Sequence, residues 1–272
     1  MKTILFLHGF FSAGFCPQAR ALQDALLGKA IVIPPDIPHD PEEALSVIEG
    51  MCDVVKPDLL VGNSCGAFYA QILSPILGIP ALLGNPHFRM SEFLSERIGM
   101  HESKFPRKKE QSFSVDEALI GKFREIEKTQ FDNCCDYRKG SVWGIFGEKD
   151  TLAGFEPLFL EHYDNSYHFP GNHTPTPEEV KKYYAPLCGK LMEEYPRKEG
   201  ERRFFLHFKG GKYEMTGTAL DSETMEKMVI YRALYGEKLT WVRPEKMFFS
   251  MVEKEGKKIH RFTEVEGFPD VK

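Results

Sequence analysis

The chain is expected to reverse direction most sharply at residues 62–66, which read Gly-Asn-Ser-Cys-Gly. The apolar run 59–61 leads into this segment, and residues 67–73 continue with the spacing of a helix. A Gly-x-Ser-x-Gly turn between a buried strand and a helix is typical of a nucleophile elbow, where the serine occupies a strained turn at the sheet edge. An ordinary turn would explain the five-residue match alone, but the flanking strand and helix favour a catalytic Ser64.

A serine nucleophile needs a base, and the base needs an acid to orient it. In hydrolases with such an elbow they follow in the order serine, acid, histidine. The apolar run 141–146 predicts a strand, and Asp150 follows its end, where it would share a sheet edge with Ser64. His173 comes later, on a Gly-Asn turn. We therefore predict these three residues as a triad, with Glu148 as the rival for the acid.

Nine histidines compete for the role of the base. His8 precedes the serine, where a base would be unusual. His39 lies in a proline-rich loop, and His87 follows the predicted strand 80–84. Both are expected at the sheet edge that carries the serine, where they would line a pocket. Chain order favours His173 as the base.

The loop after the first predicted strand, residues 3–7, reads His-Gly-Phe-Phe. In enzymes with a nucleophile elbow, a loop at this place supplies one backbone N–H of the oxyanion hole, and the residue after the serine supplies the other. We predict that these groups are the N–H of Phe10 and the N–H of Cys65. Four side chains are expected to contact the substrate: Phe11, His39, His87 and Phe88.

Together these motifs resemble the YqiA-like esterase family, a compact bacterial branch of the α/β-hydrolases. The resemblance covers about residues 1–192 and rests on five motifs: Leu-His-Gly-Phe at 7–10, Val-Gly-Asn-Ser-Cys-Gly at 61–66, Asn-Pro at 85–86, Gly-Glu-Lys-Asp at 147–150 and Gly-Asn-His at 171–173. It implies a Ser-His-Asp esterase on a small parallel sheet, without a cofactor. Cys65 stands where such proteins often carry an apolar residue, and we expect no effect because only its backbone N–H is used.

The first part of the chain alternates between strand and helix patterns. Strands are predicted at 3–7, 30–34, 58–62, 80–84, 141–146 and 165–169, and helices at 17–28, 41–55, 65–77 and 177–194. This alternation is typical of βαβ units, so we predict a compact α/β-hydrolase fold with a mostly parallel sheet. After residue 87 a charge-rich stretch has helical patterns at 91–99 and 115–128, which predicts a helical insertion. Residues 88–139 form either a helical cap over the pocket or a helical segment that is exposed to solvent.

A charged, proline-containing segment, 193–202, predicts a linker between a hydrolase domain at 1–195 and a second domain at 202–272. Short β-like runs beyond it predict a small, mainly-β, barrel-like domain. Its motifs are similar to those of a small bacterial domain of unknown function, which implies no activity. Aromatic and guanidinium groups there form either a recognition surface or a small core with bridging arginines: Tyr213, Tyr231, Arg232, Tyr235, Trp241 and Arg243.

Composition excludes several classes of function. The 272-residue chain has a formal net charge of −5, and neither part is basic enough to predict nucleic acid as a partner. No run approaches the ~20 apolar residues of a membrane span, and residues 3–7 lack the basic leader of a signal peptide. The six cysteines show no Cys-x-x-Cys pair, so we expect reduced thiols, no metal site and a cytoplasmic location.

The combined prediction is a serine hydrolase that cleaves a small acyl ester or thioester through an acyl-enzyme, with no cofactor. The competing hypothesis is a non-catalytic binding or regulatory protein. Such a protein would use the hydrolase half as a scaffold and the β domain as a recognition module.

Overall fold

The computed structural model describes residues 1–107, 111–197 and 202–268. The chain divides into two compact units. The first comprises Met1–Phe131 and Arg138–Arg197, and the second comprises Asp132–Tyr137 and Lys198–Lys272. Residues 132–137, predicted as part of the insertion, therefore group with the second unit. The predicted linker at 193–202 lies partly outside the described residues.

The first unit alternates strands and helices. In chain order its elements are β1 (Lys2–Leu7), α1 (Pro17–Ala25), β2 (Ala30–Ile33), α2 (Pro41–Val55), β3 (Leu59–Asn63), α3 (Cys65–Leu77), β4 (Ala81–Gly84), α4 (Met90–Ser95), β5 (Gly99–Glu102), β6 (Ser112–Val115), α5 (Glu117–Glu127), β7 (Val142–Gly147), α6 (Glu156–Leu160), β8 (Asn165–Phe169), α7 (Pro177–Glu179) and α8 (Ala185–Glu194). A π-helical stretch, Val180–Tyr184, joins α7 to α8.

The central sheet of the first unit has the strand order β2-β1-β3-β4-β7-β8. All neighbouring strands in it are parallel, so the predicted α/β fold is confirmed. Strands β3 and β4 are buried almost throughout, which explains their continuous apolar sequence. Because parallel strands all end on the same side, the residues that follow β1, β3, β4, β7 and β8 meet at one edge of the sheet.

The insertion after β4 differs from the predicted pair of helices. Helices α4 and α5 are present, but between them β5 and β6 form an antiparallel hairpin. The sequence signal for β6 was a period-two alternation, in which Phe113 and Val115 are buried and Ser112 and Ser114 are exposed. Four residues are too short a run to reveal that period within a charge-rich stretch.

The second unit is built from antiparallel strands, as expected. Its elements are β9 (Arg203–His207), β10 (Lys212–Leu220), β11 (Lys227–Ala233), β12 (Thr240–Pro244), α9 (Glu245–Phe248), β13 (Met251–Lys254), β14 (Lys257–His260) and β15 (Phe262–Val265). Five of the strands form a sheet in the order β12-β11-β10-β9-β15, and β13 pairs with β14. Helix α9 is a short interruption between β12 and β13 in this otherwise β-rich part of the chain.

The sheet of the second unit curls around a small core of five side chains: Phe205, Val229, Tyr231, Phe248 and Phe262. The guanidinium of Arg243, on edge strand β12, lies 5.6 Å from the ring centroid of Phe262, on the opposite edge strand β15. In the described part of the chain the two edge strands do not pair with each other. The unit is therefore a curled open sheet, barrel-like in curvature but not closed by hydrogen bonds.

No helix within the described ranges is long and apolar enough to cross a membrane.

Candidate active site

Ser64 lies between β3 and α3 in a backbone conformation that non-glycine residues rarely adopt, with φ 55° and ψ −117°. Such a conformation costs about 1–3 kcal/mol and persists only where surrounding contacts hold it. The N–H of Ser64 donates to the carbonyl of Gly84 at 2.9 Å, and its own carbonyl accepts from Ala67 and Phe68. These bonds tie the turn both to strand β4 and to helix α3.

The two glycines of the motif are required by close packing. A Cβ atom on Gly62 would lie 2.5 Å from the Cα atom of Ala67, and one on Gly66 would collide with the carbonyl of Leu7. Real Cβ atoms essentially never approach other atoms closer than 3.0 Å. The strand and the helix can therefore meet at this sharp angle only where both side chains are absent.

We expect Gly66→Ala to destabilise the protein by about 2 kcal/mol, because the added methyl group overpacks the β1–α3 contact. The matched control is Gly50→Ala in α2, where no atom beyond the helix's own backbone lies within 4 Å of the new methyl group. That control should be stabilising by about 0.5–1 kcal/mol. Urea denaturation of both variants measures the difference, and equal midpoints would contradict the packing argument.

Three side chains from three strand ends form one hydrogen-bonded chain. The hydroxyl of Ser64 is 2.9 Å from Nε2 of His173, and Nδ1 of His173 is 2.8 Å from Oδ2 of Asp150. The side chain of His173 is 14% exposed and that of Asp150 only 4%. With the proton on Nδ1, the imidazole donates to the carboxylate and leaves Nε2 to accept from the serine.

Asp150 is held as a carboxylate by its surroundings. Burial alone raises its pKa, but the hydrogen bond and charge of His173 outweigh burial and leave the pKa below its ordinary value. The backbone N–H groups of Leu152 and Ala153 also lower it by donating to Oδ1, at 2.8 and 3.2 Å. Glu148, the rival for the acid, is exposed and forms no hydrogen bond with His173 in the described ranges.

The two residues predicted for the oxyanion hole line one small cavity. Phe10 follows β1, and Cys65 is the first residue of α3. Within the described residues, neither backbone N–H donates to another protein group, so both are available to an oxygen atom.

His8 holds the loop after β1 in place through its two ring nitrogens and is not positioned as a base. Its Nδ1 bonds the carbonyl of Gly9 and its Nε2 accepts from the N–H of Ile37, while burial lowers its pKa to about 4.

His87 lies close to this hydrogen-bonded chain of side chains. Its backbone N–H is 3.4 Å from the carbonyl of Ser64, and its ring is edge-on to His173 with the centroids 6.5 Å apart. Phe93 and Phe155 pack against the ring at 4.9 and 5.0 Å. Burial, aided by the charge of His173, lowers the pKa of His87 to about 4, so this residue is neutral at pH 7.

Phe11 is half-buried and links the loop after β1 to the insertion. Its ring contacts Phe93 at 6.1 Å, His101 at 5.2 Å and Phe113 at 5.8 Å between centroids. These contacts come from α4, β5 and β6, so the insertion packs directly on the loop that carries Phe10.

His39 and Phe88, two of the four residues predicted to contact the substrate, are both buried. His39 is buried and stacks on Phe113 at 3.6 Å, while its Nε2 accepts a hydrogen bond from Arg107 at 3.3 Å. Burial, followed by the charge of Arg107, lowers the pKa of His39 to about 3. Phe88 is 0% exposed and packs against Phe131 and Phe155. Phe88 therefore supports the wall of the site rather than its surface. His39 lines a small cavity with Phe10 and Cys65, and its contact with the substrate stays a prediction.

Asn85 is a site residue whose role was not predicted. It is fully buried, with φ 39°, and its amide nitrogen donates to the carbonyls of Asn172 and His173 at 3.1 and 2.8 Å. Its amide oxygen accepts from the N–H of Gly147 at 2.7 Å. One side chain thus joins the ends of β4 and β7 to the loop that carries the histidine. The Asn-Pro motif at 85–86 was the only sequence signal for this residue.

Within the described ranges, no group of three or more His, Cys, Asp or Glu side chains is arranged to hold a metal ion. All six cysteines are free thiols, and burial raises the pKa of Cys65 to about 12, so its side chain is no rival nucleophile.

Several solved structures are similar to this chain in fold. Est1E from Butyrivibrio proteoclasticus, solved with ferulic acid, is 15% identical over 71% of this chain and 90% of its own, with a TM-score of 0.53. An esterase domain from Rhodothermus marinus is 13% identical, covering 71% and 87%, with a TM-score of 0.53. A monoacylglycerol lipase from Paleococcus ferrophilus is 13% identical, covering 70% and 94%, with a TM-score of 0.51. These similarities show the α/β-hydrolase fold.

Two family models match the chain, one in each part. The model of a protein of unknown function (DUF1653) matches residues 203–264. The model of the uncharacterised protein family UPF0227 matches residues 3–152, which is more than half of the chain. The resemblance seen in the motifs is thereby confirmed, and the chain belongs to the UPF0227 family, with a DUF1653 domain after it.

Proposed function

We propose that the protein is a serine hydrolase that cleaves carboxylic esters or thioesters through an acyl-enzyme. One observation carries the proposal: His173 is bonded to both Ser64 and Asp150, at 2.9 and 2.8 Å, while the serine occupies a strained elbow. A scaffold that only binds a ligand has no need to hold a hydroxyl, an imidazole and a buried carboxylate in line. This argues against the non-catalytic alternative.

The proposed reaction uses five groups. The hydroxyl oxygen of Ser64 attacks the acyl carbon while Nε2 of His173 takes its proton, and Asp150 stabilises the imidazolium that forms. The N–H groups of Phe10 and Cys65 donate to the developing oxyanion. His173 then protonates the leaving alcohol or thiol, and a water molecule that it activates releases the acid from the serine.

The substrate is proposed to lie against Phe11 and His87. Phe11 is half-buried beside the oxyanion loop, and His87 presents an uncharged ring next to His173. Apolar rings at this place suit the acyl chain or an aromatic leaving group. Two of the similar structures are described as an esterase domain and a monoacylglycerol lipase, so esters are the first substrates to test.

Labelling with a fluorophosphonate probe tests the proposal directly, because the probe reacts with an activated serine hydroxyl. We expect the full chain to be labelled, and acyl esters and thioesters of graded chain length to compete with the probe. A folded protein that is neither labelled nor active on any of these substrates would support the binding-protein alternative.

We expect Asn85→Ala to lower kcat about 10- to 100-fold with little change in KM, because the loop that carries His173 loses its anchor and a displacement of about 1 Å costs that much. The control is Asn165→Ala at the start of β8, whose amide donates to the carbonyl of Gly140 at 3.2 Å, away from the catalytic edge. Steady-state kinetics on one well-used ester separates kcat from KM. An Asn85 variant that is less stable but keeps its kcat would assign the residue to stability alone.

A further inference from the structure

Three basic side chains of the second unit lie near His207, and none of them forms an ion pair with a carboxylate of the described residues. We call Lys209, Arg243 and Arg261 the basic cluster. The charges of all three act on His207, adding to the lowering of its pKa by burial. Arg243 is half-buried over the ring of Phe262, at 5.6 Å, and its Nε donates to the hydroxyl of Tyr231 at 3.3 Å.

Other arginines of this unit are neutralised. Arg202 and Arg232 bind the buried carboxylate of Glu214 at 2.5 and 2.7 Å, and Arg203 binds that of Glu264 at 2.9 and 2.7 Å. In the described part of the unit, no carboxylate forms an ion pair with the basic cluster. Arg243 and Arg261 are half-buried, and Lys209 is exposed. Half-buried cations without a counter-ion are costly, so the two arginines are suited to hold an anion.

Flat aromatic rings stand beside the basic cluster on the same face of the sheet. Trp241 is two residues before Arg243 on β12 and is paired with Tyr231 across the strands, so its side chain lies on the core face of the sheet. Tyr231 contacts Tyr213 at 5.3 Å, and Tyr213 is bonded to Tyr235 through their hydroxyls at 2.5 Å. Tyr235, whose ring lies 5.6 Å from that of Tyr213, is 51% exposed, and Trp241 is 50% exposed beside them on the same face.

The aromatic and guanidinium groups predicted to form either a core or a recognition surface divide between the two. Tyr231 is buried in the core, and Arg232 lies on the opposite face, bound to Glu214. Three side chains keep exposed surface on the core face of the curled sheet: Trp241, Tyr235 and Arg243. We call this exposed part of the core face the mouth.

We propose that this mouth is a binding site for a small anion attached to an aromatic ring, that is, an aromatic carboxylate or an aryl phosphate. The carboxylate or phosphate oxygens accept hydrogen bonds from the guanidinium groups of Arg243 and Arg261. The ring stacks on Trp241, as aromatic ligands do on indole. The site involves no residue of the proposed triad.

Tryptophan fluorescence of the full chain tests the proposal. The chain has two tryptophans, and Trp143 is 1% exposed in the core of the first unit, so a ligand-dependent change reports Trp241. The probes are phenyl phosphate, benzoate, inorganic phosphate and uncharged benzyl alcohol. We expect saturable changes with phenyl phosphate and benzoate, weakened by salt, absent in Trp241→Phe, and at least tenfold weaker in Arg243→Gln.

The matched control is Arg232→Gln on the opposite face, which leaves Glu214 paired with Arg202 and should bind as the wild type does. If Arg243→Gln unfolds by circular dichroism, Arg261→Gln carries the same expectation. Folded variants of both arginines that bind normally would overturn the proposal, as would the absence of a saturable signal. Equal binding of benzyl alcohol would show that the site is an apolar patch that does not recognise the anion. Equal binding of inorganic phosphate would show that the aromatic ring contributes nothing to binding. Either result would overturn the proposal.

Discussion

Replacement of Ser64 by alanine is expected to lower kcat for ester hydrolysis by about 10⁴- to 10⁶-fold. The variant loses the nucleophile, so no acyl-enzyme forms, and only binding and the oxyanion hole remain to assist the attack of water. Because alanine fits the space of serine, the stability of the protein should change little. Turnover of an activated ester and labelling by the fluorophosphonate probe measure the two losses.

Cys65 offers a check on this assignment, since its thiol is next to Ser64 in the chain. Cys65→Ser keeps the backbone N–H and should retain most of the activity, because the buried thiol takes no part in the reaction. If Ser64→Ala kept more than about a tenth of the wild-type rate, the nucleophile would be another residue.

Asp150→Asn is expected to reduce turnover about 10⁴-fold while the fold persists. Oδ1 of Asp150 accepts two backbone N–H groups, from Leu152 and Ala153, so the single oxygen of an asparagine will remain with them. Its NH₂ group then faces Nδ1 of His173, which must accept instead of donate. The imidazole proton moves to Nε2, and that nitrogen can no longer take the proton of the serine.

The control for this prediction is Glu148→Gln, two residues earlier in the same loop. Glu148 is exposed, so we expect less than about a threefold change in kcat. Kinetics and thermal denaturation of both variants separate a catalytic loss from unfolding. The reverse ranking of the two variants would transfer the role of the acid to Glu148.

The parts of this protein that were predictable are those whose signals are local. Helices α2 and α3 begin and end where the apolar spacing placed them, and α2 starts at Pro41 with the side chain of Asp40 accepting from two N–H groups of its first turn. The elbow was visible because strand, turn and helix follow one another within twenty residues. The order of serine, acid and histidine was predicted from hydrolases with such an elbow, and the parallel sheet explains why all three lie at one edge.

Other features depend on contacts between residues far apart in the chain. The choice of Asp150 over Glu148 rests on which carboxylate reaches His173, and the role of Asn85 rests on carbonyl groups 87 and 88 residues away. Phe88 was expected at the surface of the site because it follows a strand end, yet packing against Phe131 and Phe155 buries it. The spacing of residues along the sequence does not show which side chains lie close together in the folded protein.

The amino-acid sequence alone therefore specifies the strands and main helices of the parallel sheet and the residue types that follow its strands, but not the β5–β6 hairpin. The periodicity of apolar residues, the turn residues and the capping groups act over a few residues, so they can be recognised in the sequence before the fold is known. Tertiary structure determines which of the polar groups meet, which aromatic rings are covered, and that residues 132–137 join the second unit. The physical reason is that hydrogen bonds and packing act over a few ångströms in space, and only the folded chain brings Ser64 within 2.9 Å of a histidine 109 residues away.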